Sequence, residues 1–309
     1  MVRKSRQQSC GAERRNLYAE VTSGIIAELE EGRFPWVQPW GREKAGPGLP
    51  GNAATKRTYS GINILILWGA VIAGGYGSQQ WLTFRQALAL GGSVRKGERG
   101  TTVFYADRFI PKSAAGHAAD TGEEPEAVAF LKRFTVFNVA QCDGLPESVV
   151  VRPLPLPERE IIPEAEALIT ATGADFRIGG DRAFYVPSAD FIQVPPQPAF
   201  FDQINYYRTC FHELGHWTGH PSRLDRDLSG SRRSQPYARE ELVAELSSAF
   251  ICAALGIIPT VRHADYLGSW LEVLRADNRA IFRAASQAGK AADFILRPGA
   301  AAETQGEAA

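Results

Sequence analysis

Apolar residues recur along the chain with two different periods, which predicts a mixture of helices and strands. From Leu17 to Leu29 they follow one another at four-residue intervals, as on one face of a helix that ends near Gly32. Segments 101–106 and 128–139 are rich in β-branched and aromatic residues and are predicted to pair as one hairpin. The chain is therefore expected to have an α+β fold.

Two further helices are predicted in the first half of the chain. A continuous apolar run over 62–73 is expected to be helical, with Ser60 as its amino-terminal cap. Another helix is expected to open within 81–86, where Thr83 and Gln86 have the spacing of a capping box. The run over 62–73 is the longest apolar one and is too short to cross a bilayer, which takes about 20 residues. No membrane partner is expected.

The second half is predicted to place a small sheet before a group of helices. A first helix is expected over 163–173, and it begins at a proline, which suits the first helical position. The short strands that follow are predicted at 175–178, 183–186 and 191–194. The later helices are predicted around residues 201–217 and 237–251, with a last one over 263–288.

Prolines mark the predicted division of the chain into domains. Residues 146–162 carry prolines at alternate positions and are interpreted as a linker. The expected domains are therefore 13–145 and 163–290, in keeping with a length of 309 residues. The two ends, 1–12 and 291–309, are expected to be disordered.

The composition is that of an ordinary globular protein, with 44% hydrophobic and 22% charged residues. Lys+Arg and Asp+Glu both number 34, but residues 1–150 hold four more basic than acidic side chains. This asymmetry alone is too small to indicate nucleic acid. The four cysteines show no paired spacing and the amino terminus lacks an apolar signal segment, so a cytoplasmic location is expected.

The clearest candidate chemistry is an HExxH motif at residues 212–216, inside a segment with helical spacing of apolar residues. His212 and His216 are four residues apart, so both imidazoles leave the same face of the helix and can reach one metal ion. Glu213 is rotated off that face, where it can take a proton from water that the metal has made more acidic. The alternative is a buried helix that carries two histidines without a metal.

A catalytic zinc site also needs a third protein ligand. His220 is one candidate, because it follows the motif closely. Glu241 and Glu245 are the stronger candidates, since they are four residues apart beside an apolar stripe of one predicted helix. Carboxylates near a buried face are costly unless they meet a positive charge, which a metal or a metal-bound histidine supplies. The alternative for this pair is a solvated helix face.

The first half of the chain mixes aromatic residues with cations, as single-stranded DNA binding requires. Flat rings stack on bases and cations follow the phosphates, without a strong preference for sequence. The alternative is that most of these rings belong to the core. The candidate DNA-binding residues are Trp36, Trp40, Lys56, Arg57, Tyr59, Trp81, Arg85, Lys96 and Arg99.

Several motifs together resemble the ArdC family of plasmid antirestriction proteins, which is related to the amino-terminal part of TraC-type primases. The resemblance covers the chain from about residue 13 to residue 289. Its motifs are Trp36 to Trp40, 59–64, 81–84, 94–98, 136–139, 212–220 and 240–245. We find no departure from the family pattern within them.

The resemblance implies a fold and a set of site residues. It implies an amino-terminal domain that binds single-stranded DNA and a carboxy-terminal zincin-like metallopeptidase domain of the gluzincin type. By the same resemblance, Glu241 is the third ligand and Glu245 orients a metal-binding histidine, although the two roles could be exchanged. One divalent metal ion is expected, with zinc as the first choice and manganese as the alternative.

The resemblance also implies a biological role, the protection of incoming plasmid DNA from host restriction. Three functions stay open at this point. The chain can bind and shield DNA while carrying a peptidase-like domain, or it can be a metalloprotease that DNA brings to a host restriction enzyme or another protein substrate. It can also be a non-catalytic shield with a structural metal. Double-stranded DNA is a further candidate partner.

Overall fold

The computed structural model describes residues 6–37, 48–109, 128–150, 162–200, 202, 204–231, 234–258 and 266–297. Its helices are α1 (Arg6–Glu30), α2 (Ile62–Gly74), α3 (Phe84–Ala89), α4 (Glu147–Val150), α5 (Pro163–Ala171), α6 (Ile204–Trp217), α7 (Gln235–Ala254), α8 (Leu267–Ala276) and α9 (Ala280–Leu296). Its strands are β1 (Gly51–Asn52), β2 (Gln80–Thr83), β3 (Ser93–Val94), β4 (Thr101–Phe109), β5 (Val128–Asn138), β6 (Cys142–Asp143), β7 (Asp175–Ile178), β8 (Phe184–Val186) and β9 (Phe191–Val194).

The first half is built on a four-stranded sheet with the order β1-β2-β5-β4. The predicted hairpin forms its larger part: β4 and β5 are antiparallel, from the pair Thr101 and Val136 to the pair Phe109 and Val128. Helix α2 is tied to β4 by Asn63, whose side chain accepts from the Phe104 amide at 2.8 Å and donates to the Phe104 carbonyl at 2.7 Å. These two hydrogen bonds fix the position of the helix relative to the hairpin.

The second half places a three-stranded sheet before the long helices, as predicted. Strand β9 is central, parallel to β7 and antiparallel to β8, so β8 is an edge strand. Helix α6 packs mainly on α7, and α7 packs on α9. Alternation places Ile192 and Val194 of β9 in the core, while Phe191 and Gln193 are half-buried. The sheet and α6 together form the base of a cleft.

A large hydrophobic core runs through both halves, and a smaller cluster of buried residues lies within the first half. Trp68 of α2 packs edge-on against Phe250 of α7, with ring centroids 5.8 Å apart. Trp36 packs in the same way against Trp270 of α8, at 5.7 Å. Both indoles are completely buried. The two predicted domains therefore share apolar surface, and Trp36 and Trp68 of the first half pack on aromatic rings of the second.

Several predicted boundaries differ from the structure. Residues 6–12, expected to be disordered, form the first turns of α1, and residues 291–296 complete α9. The expected last helix is two helices, because the backbone leaves helical geometry at Asp277, whose φ and ψ are −149° and 104°. Ser60 does not cap α2; Gly61 occupies the cap position without a side-chain hydrogen bond. The capping box at Thr83 and Gln86 is confirmed.

The predicted linker, 146–162, is described only at its ends. Residues 147–150 form the short helix α4, and Ile162 precedes α5. Residues 151–161 lie outside the described part of the chain. Ile162 is buried, and its amide donates to the hydroxyl of Tyr207 at 3.0 Å. This bond anchors the start of α5 to α6.

Replacing Trp36 by alanine is expected to lower the free energy of unfolding by about 3–5 kcal/mol, the usual cost of truncating a buried aromatic ring. The reason is the loss of its contacts with Phe34 and Trp270. Urea unfolding followed by circular dichroism measures the change. Phe84→Ala is the matched control, because that ring is 51% exposed and its loss is expected to change stability little. Equal stability of Trp36→Ala and the wild type would contradict the core position.

Candidate metal centre

Helices α6 and α7 approach each other closely at the HExxH motif. A Cβ atom added to Gly215 would lie 3.0 Å from the Cα atom of Ala244, closer than ordinary van der Waals contact. The glycine therefore allows the backbones to meet where the motif faces α7. This close approach brings the carboxylates of α7 to the two histidines of α6.

Three side chains converge on one point between these helices. The Nε2 atom of His212 is 3.5 Å from one Glu241 oxygen, and the Nε2 atom of His216 is 3.5 Å from the other. One ligand atom from each of the three residues can be chosen so that all lie within 4.8 Å of one another. Two ligands about 2.1 Å from one tetrahedral ion are about 3.4 Å apart. The donor set and its spacing therefore fit a divalent metal.

The other nitrogen of each imidazole meets a second carboxylate. His212 Nδ1 is 3.4 Å from Glu245, and His216 Nδ1 is 3.3 Å from Glu240. Each carboxylate can accept the Nδ1 proton, which fixes the tautomer and leaves Nε2 for the metal. Of the two orders considered from the sequence, the structure places Glu241 beside both Nε2 atoms and Glu245 behind His212.

Glu240 is held in turn by Arg226, from the loop after α6. The guanidinium donates to both Glu240 oxygens, at 2.7 and 3.0 Å, and to the Gly215 carbonyl at 2.6 Å. It also donates to the hydroxyl of Thr218 at 2.9 Å. Arg226 thus connects the loop, α6 and α7 behind His216.

The imidazoles and carboxylates of the site are close enough to interact as ion pairs. Burial lowers the pKa of His212, but hydrogen bonds with Glu241 and Glu245 more than reverse this and raise it to about 9. Burial also opposes charge on His216, yet Glu240 and Glu241 raise its pKa. Burial raises the pKa of Glu241, but the two imidazoles hold it well below its ordinary value. The two imidazoles and the Glu241 carboxylate therefore attract one another.

The site opens into a cleft of about 520 Å³. Glu213 lines this cleft beside the histidines, and the edge strand β8 forms part of its wall. Tyr237, on the first turn of α7, lines it as well. Burial, and then the neighbouring carboxylate of Glu241, raise the pKa of Tyr237, so its hydroxyl keeps its proton at neutral pH. The cleft thus offers the Glu213 carboxylate as a base and the Tyr237 hydroxyl as a donor next to three candidate ligands.

Sequence reasoning did not find Glu240, Arg226 or Tyr237. Glu240 is adjacent to Glu241, and a third carboxylate in this helix was a signal that could have been used. No sequence spacing relates Arg226 or Tyr237 to the motif, because only the packing of α6 on α7 brings them together. The alternative ligand His220 lies outside the cluster, and its Nδ1 atom is 2.8 Å from the Ser222 hydroxyl.

The candidate DNA-binding residues have two different environments. The rings of Trp36 and Trp81 are completely buried, so a base cannot stack on them, and the core alternative is correct for both. Trp40 lies outside the described residues, and Tyr59 is half-buried. The exposed candidates are the cations Lys56, Arg57, Arg85, Lys96 and Arg99.

These features together define a zincin-like metallopeptidase fold: an HExxH helix, a glutamate on the next long helix and an edge strand along the cleft. A family model for zincin-like metallopeptidases matches residues 163–287. A second family model, for the N-terminal domain of the anti-restriction factor ArdC, matches residues 15–137. The chain belongs to the ArdC family of antirestriction proteins.

Solved structures and sequence relatives agree with this assignment. The metal-free crystal structure of the antirestriction protein ArdC from plasmid R388 has a TM-score of 0.77 and 42% identity, covering 92% of this chain and 98% of that one. The Mn(II)-bound structure of the same protein has a TM-score of 0.75 and 40% identity, covering 91% and 97%. A divalent metal is therefore part of this fold in a relative.

Two sequence relatives match most of the chain. It is 44% identical to protein y4eC of Sinorhizobium fredii (strain NBRC 101917 / NGR234), over 91% of each chain. It is 40% identical to the DNA primase TraC of Escherichia coli, over 90% of this chain but 27% of TraC. The chain thus spans about a quarter of that primase. Among the described residues, no helix is long and apolar enough to cross a membrane.

Proposed function

We propose that the chain protects incoming plasmid DNA from host restriction by binding it as a single strand, and that its metal centre hydrolyses peptide bonds. The observation that carries the second part is the position of Glu213. It lines an open cleft beside three ligands, whereas a structural zinc site is closed by four protein ligands. Membership in the ArdC family supports the first part.

In this proposal His212, His216 and Glu241 hold one divalent ion. When bound, such an ion supplies Lewis acidity, which polarises a carbonyl group and makes water more acidic. Two histidines and one glutamate are a donor set of catalytic zinc sites, so zinc is favoured. The Mn(II)-bound relative supports manganese as the alternative.

The remaining cleft residues divide the proton transfers and the binding of the substrate. Glu213 accepts the proton of the attacking water and returns it to the leaving amine. Tyr237 keeps its proton and donates a hydrogen bond to the oxygen that gains charge. The free edge of β8 pairs with an extended peptide and aligns it along the cleft. The protein substrate in this proposal is a host restriction enzyme or another DNA-bound protein.

A second candidate function is a DNA shield in which the metal centre is only structural. The shared core supports this structural role. A metal that fixes α6 against α7 would also stabilise the surface on which the first half packs. In this case Glu213 has no chemical role. The cytoplasmic location expected from the sequence stays a prediction under either function.

The protective function is tested by transfer of an unmodified conjugative plasmid into cells with and without an active restriction system. Expression of the wild-type chain is expected to raise transfer into the restricting cells by at least tenfold and to leave transfer into the non-restricting cells unchanged. The count of transconjugants measures both. Equal transfer with and without the chain would contradict the protective role, and an equal rise in both hosts would point to an effect on conjugation itself.

A further inference from the structure

A second cleft, of about 920 Å³, lies between the first-half sheet and helix α9. One wall is the exposed face of β4 and β5, another is the loop 52–61, and the third is α9 from the second half. Among the described residues that line it there are three arginines and no acidic residue. The cleft at the metal centre, in contrast, is lined by one arginine, Arg182, and four acidic residues, Asp227, Glu213, Glu240 and Glu241. The two clefts therefore attract ligands of opposite charge.

Two aromatic rings stand open on the sheet wall. Tyr105 is 63% exposed and Phe134 is 46% exposed. In the β4–β5 ladder Val103 is opposite Phe134 and Tyr105 is opposite Lys132, so the two rings are diagonal neighbours on the same face. No core contact requires large aromatic residues at exposed positions of this kind. They form a surface on which successive unpaired bases can stack.

Cations face this surface from both halves of the chain. Arg279, Arg283 and Ser286 of the last helical segment follow at intervals of four and three residues, so they form one row along α9, and all three are exposed. Arg57 reaches the cleft from the loop 52–61 and is exposed. Arg279 lies 5.0 Å from the centre of the Tyr18 ring, and Arg283 pairs with Asp277 at the start of the row.

Close contacts fix the walls relative to each other. Phe282 of α9 packs edge-on against Tyr18 of α1 at 4.6 Å and against Phe104 of β4 at 6.4 Å. A Cβ atom on Gly61 would lie 3.9 Å from the Cα atom of Ser286, so the loop touches α9 directly. The cleft is therefore formed in the folded chain and does not have to assemble around a ligand.

We propose that this cleft is the binding site for single-stranded DNA, with Tyr105 and Phe134 stacking on bases and Arg57, Arg279 and Arg283 contacting phosphates. The inference rests on the proposed DNA-binding function and assigns a place to it. It differs from the expectation based on the sequence in two ways. The stacking rings come from the hairpin and not from Trp36 or Trp81, and α9 of the metallopeptidase half supplies two of the cations.

Fluorescence anisotropy of a labelled oligothymidine, measured on the full chain over a salt series, tests the site. Tyr105→Ala and Phe134→Ala are each expected to weaken binding by about tenfold at every salt concentration, because stacking releases no counterions. Arg283→Ala is expected to weaken binding and to reduce the log–log salt slope by about 0.7, the contribution of one phosphate contact on a single strand.

Matched controls separate the cleft from the rest of the surface. Arg275→Ala removes a cation of the same exposure, 55%, that also has one carboxylate partner, Glu30, but lies outside the cleft. Phe84→Ala removes a 51% exposed ring outside the cleft. Both controls are expected to bind like the wild type. The midpoint of thermal unfolding shows that each variant is folded.

The outcomes distinguish the site from the function. If the wild-type chain does not bind the oligothymidine, the proposed DNA-binding function fails, and the site fails with it. If the wild type binds, the cleft variants bind equally well, and Lys96→Ala or Arg99→Ala weakens binding instead, the function stands and this site is wrong. If Ser286→Glu, which adds a negative charge to the row, leaves affinity unchanged, the contribution of α9 is overturned.

Discussion

Replacing His212 by alanine is expected to leave the purified protein without its metal, whereas the wild type holds about one divalent ion per chain. The reason is geometric: His212 Nε2 and Glu241 are 3.5 Å apart and form one side of the ligand triangle. The remaining two ligands can no longer surround an ion. Elemental analysis by mass spectrometry after dialysis against metal-free buffer gives the occupancy directly.

Variants of nearby residues test whether the loss of metal is specific to His212. His220→Ala is the matched control, since it removes a histidine outside the cluster and is expected to keep full occupancy. Glu245→Gln and Glu240→Gln are expected to weaken metal binding by about 10–100-fold, the usual loss for a group that orients a ligand. Glu241→Gln is expected to weaken it further. Full metal content in His212→Ala would show that the ion is held elsewhere.

The second large effect is expected at Glu213. Glu213→Gln should keep the metal and the fold but reduce cleavage of casein by about 10²–10⁴-fold, because general-base help contributes that much to hydrolysis. The amide has the size of the carboxylate but cannot accept the proton. Release of acid-soluble peptide, with and without single-stranded DNA, measures cleavage, and elemental analysis confirms that the metal is present.

The same variant decides between the two candidate functions. If protection of a plasmid needs hydrolysis, Glu213→Gln loses protection together with cleavage. If the chain only shields DNA, this variant protects like the wild type. Unchanged casein cleavage in a metal-free preparation of His212→Ala would assign the activity to a contaminant and remove the evidence for a peptidase.

The candidate metal ligands could be predicted from the sequence to different degrees. His212 and His216 follow from local geometry, because a four-residue interval on a helix fixes their relative positions before any tertiary contact forms. Glu241 required an assumption about packing, and the sequence alone left its role exchangeable with that of Glu245. The packing of α7 on α6, which Gly215 allows, distinguishes the positions of the two glutamates.

Prediction of the fold from the sequence has the same limit: local signals are found, and contacts between distant segments are not. Periodicity located the hairpin strands and all three strands of the second sheet, because alternation and turn residues are local signals. It did not locate the break at Asp277, since the apolar face continues across it. It also left the position of Trp36 undecided, because a proline-flanked loop is compatible with either environment. Only the presence of Trp270, 234 residues later in the chain, decides it.

The shared core bears on how this pair of domains is inherited. Trp36 and Trp68 pack against residues of the second half. A protein that contained only the first half would expose both rings to solvent and would be prone to aggregate. Recombination should therefore transmit the halves together. The alignment with TraC fits this expectation, because it covers 90% of this chain and 27% of the primase. The two halves are therefore expected to be inherited as one module.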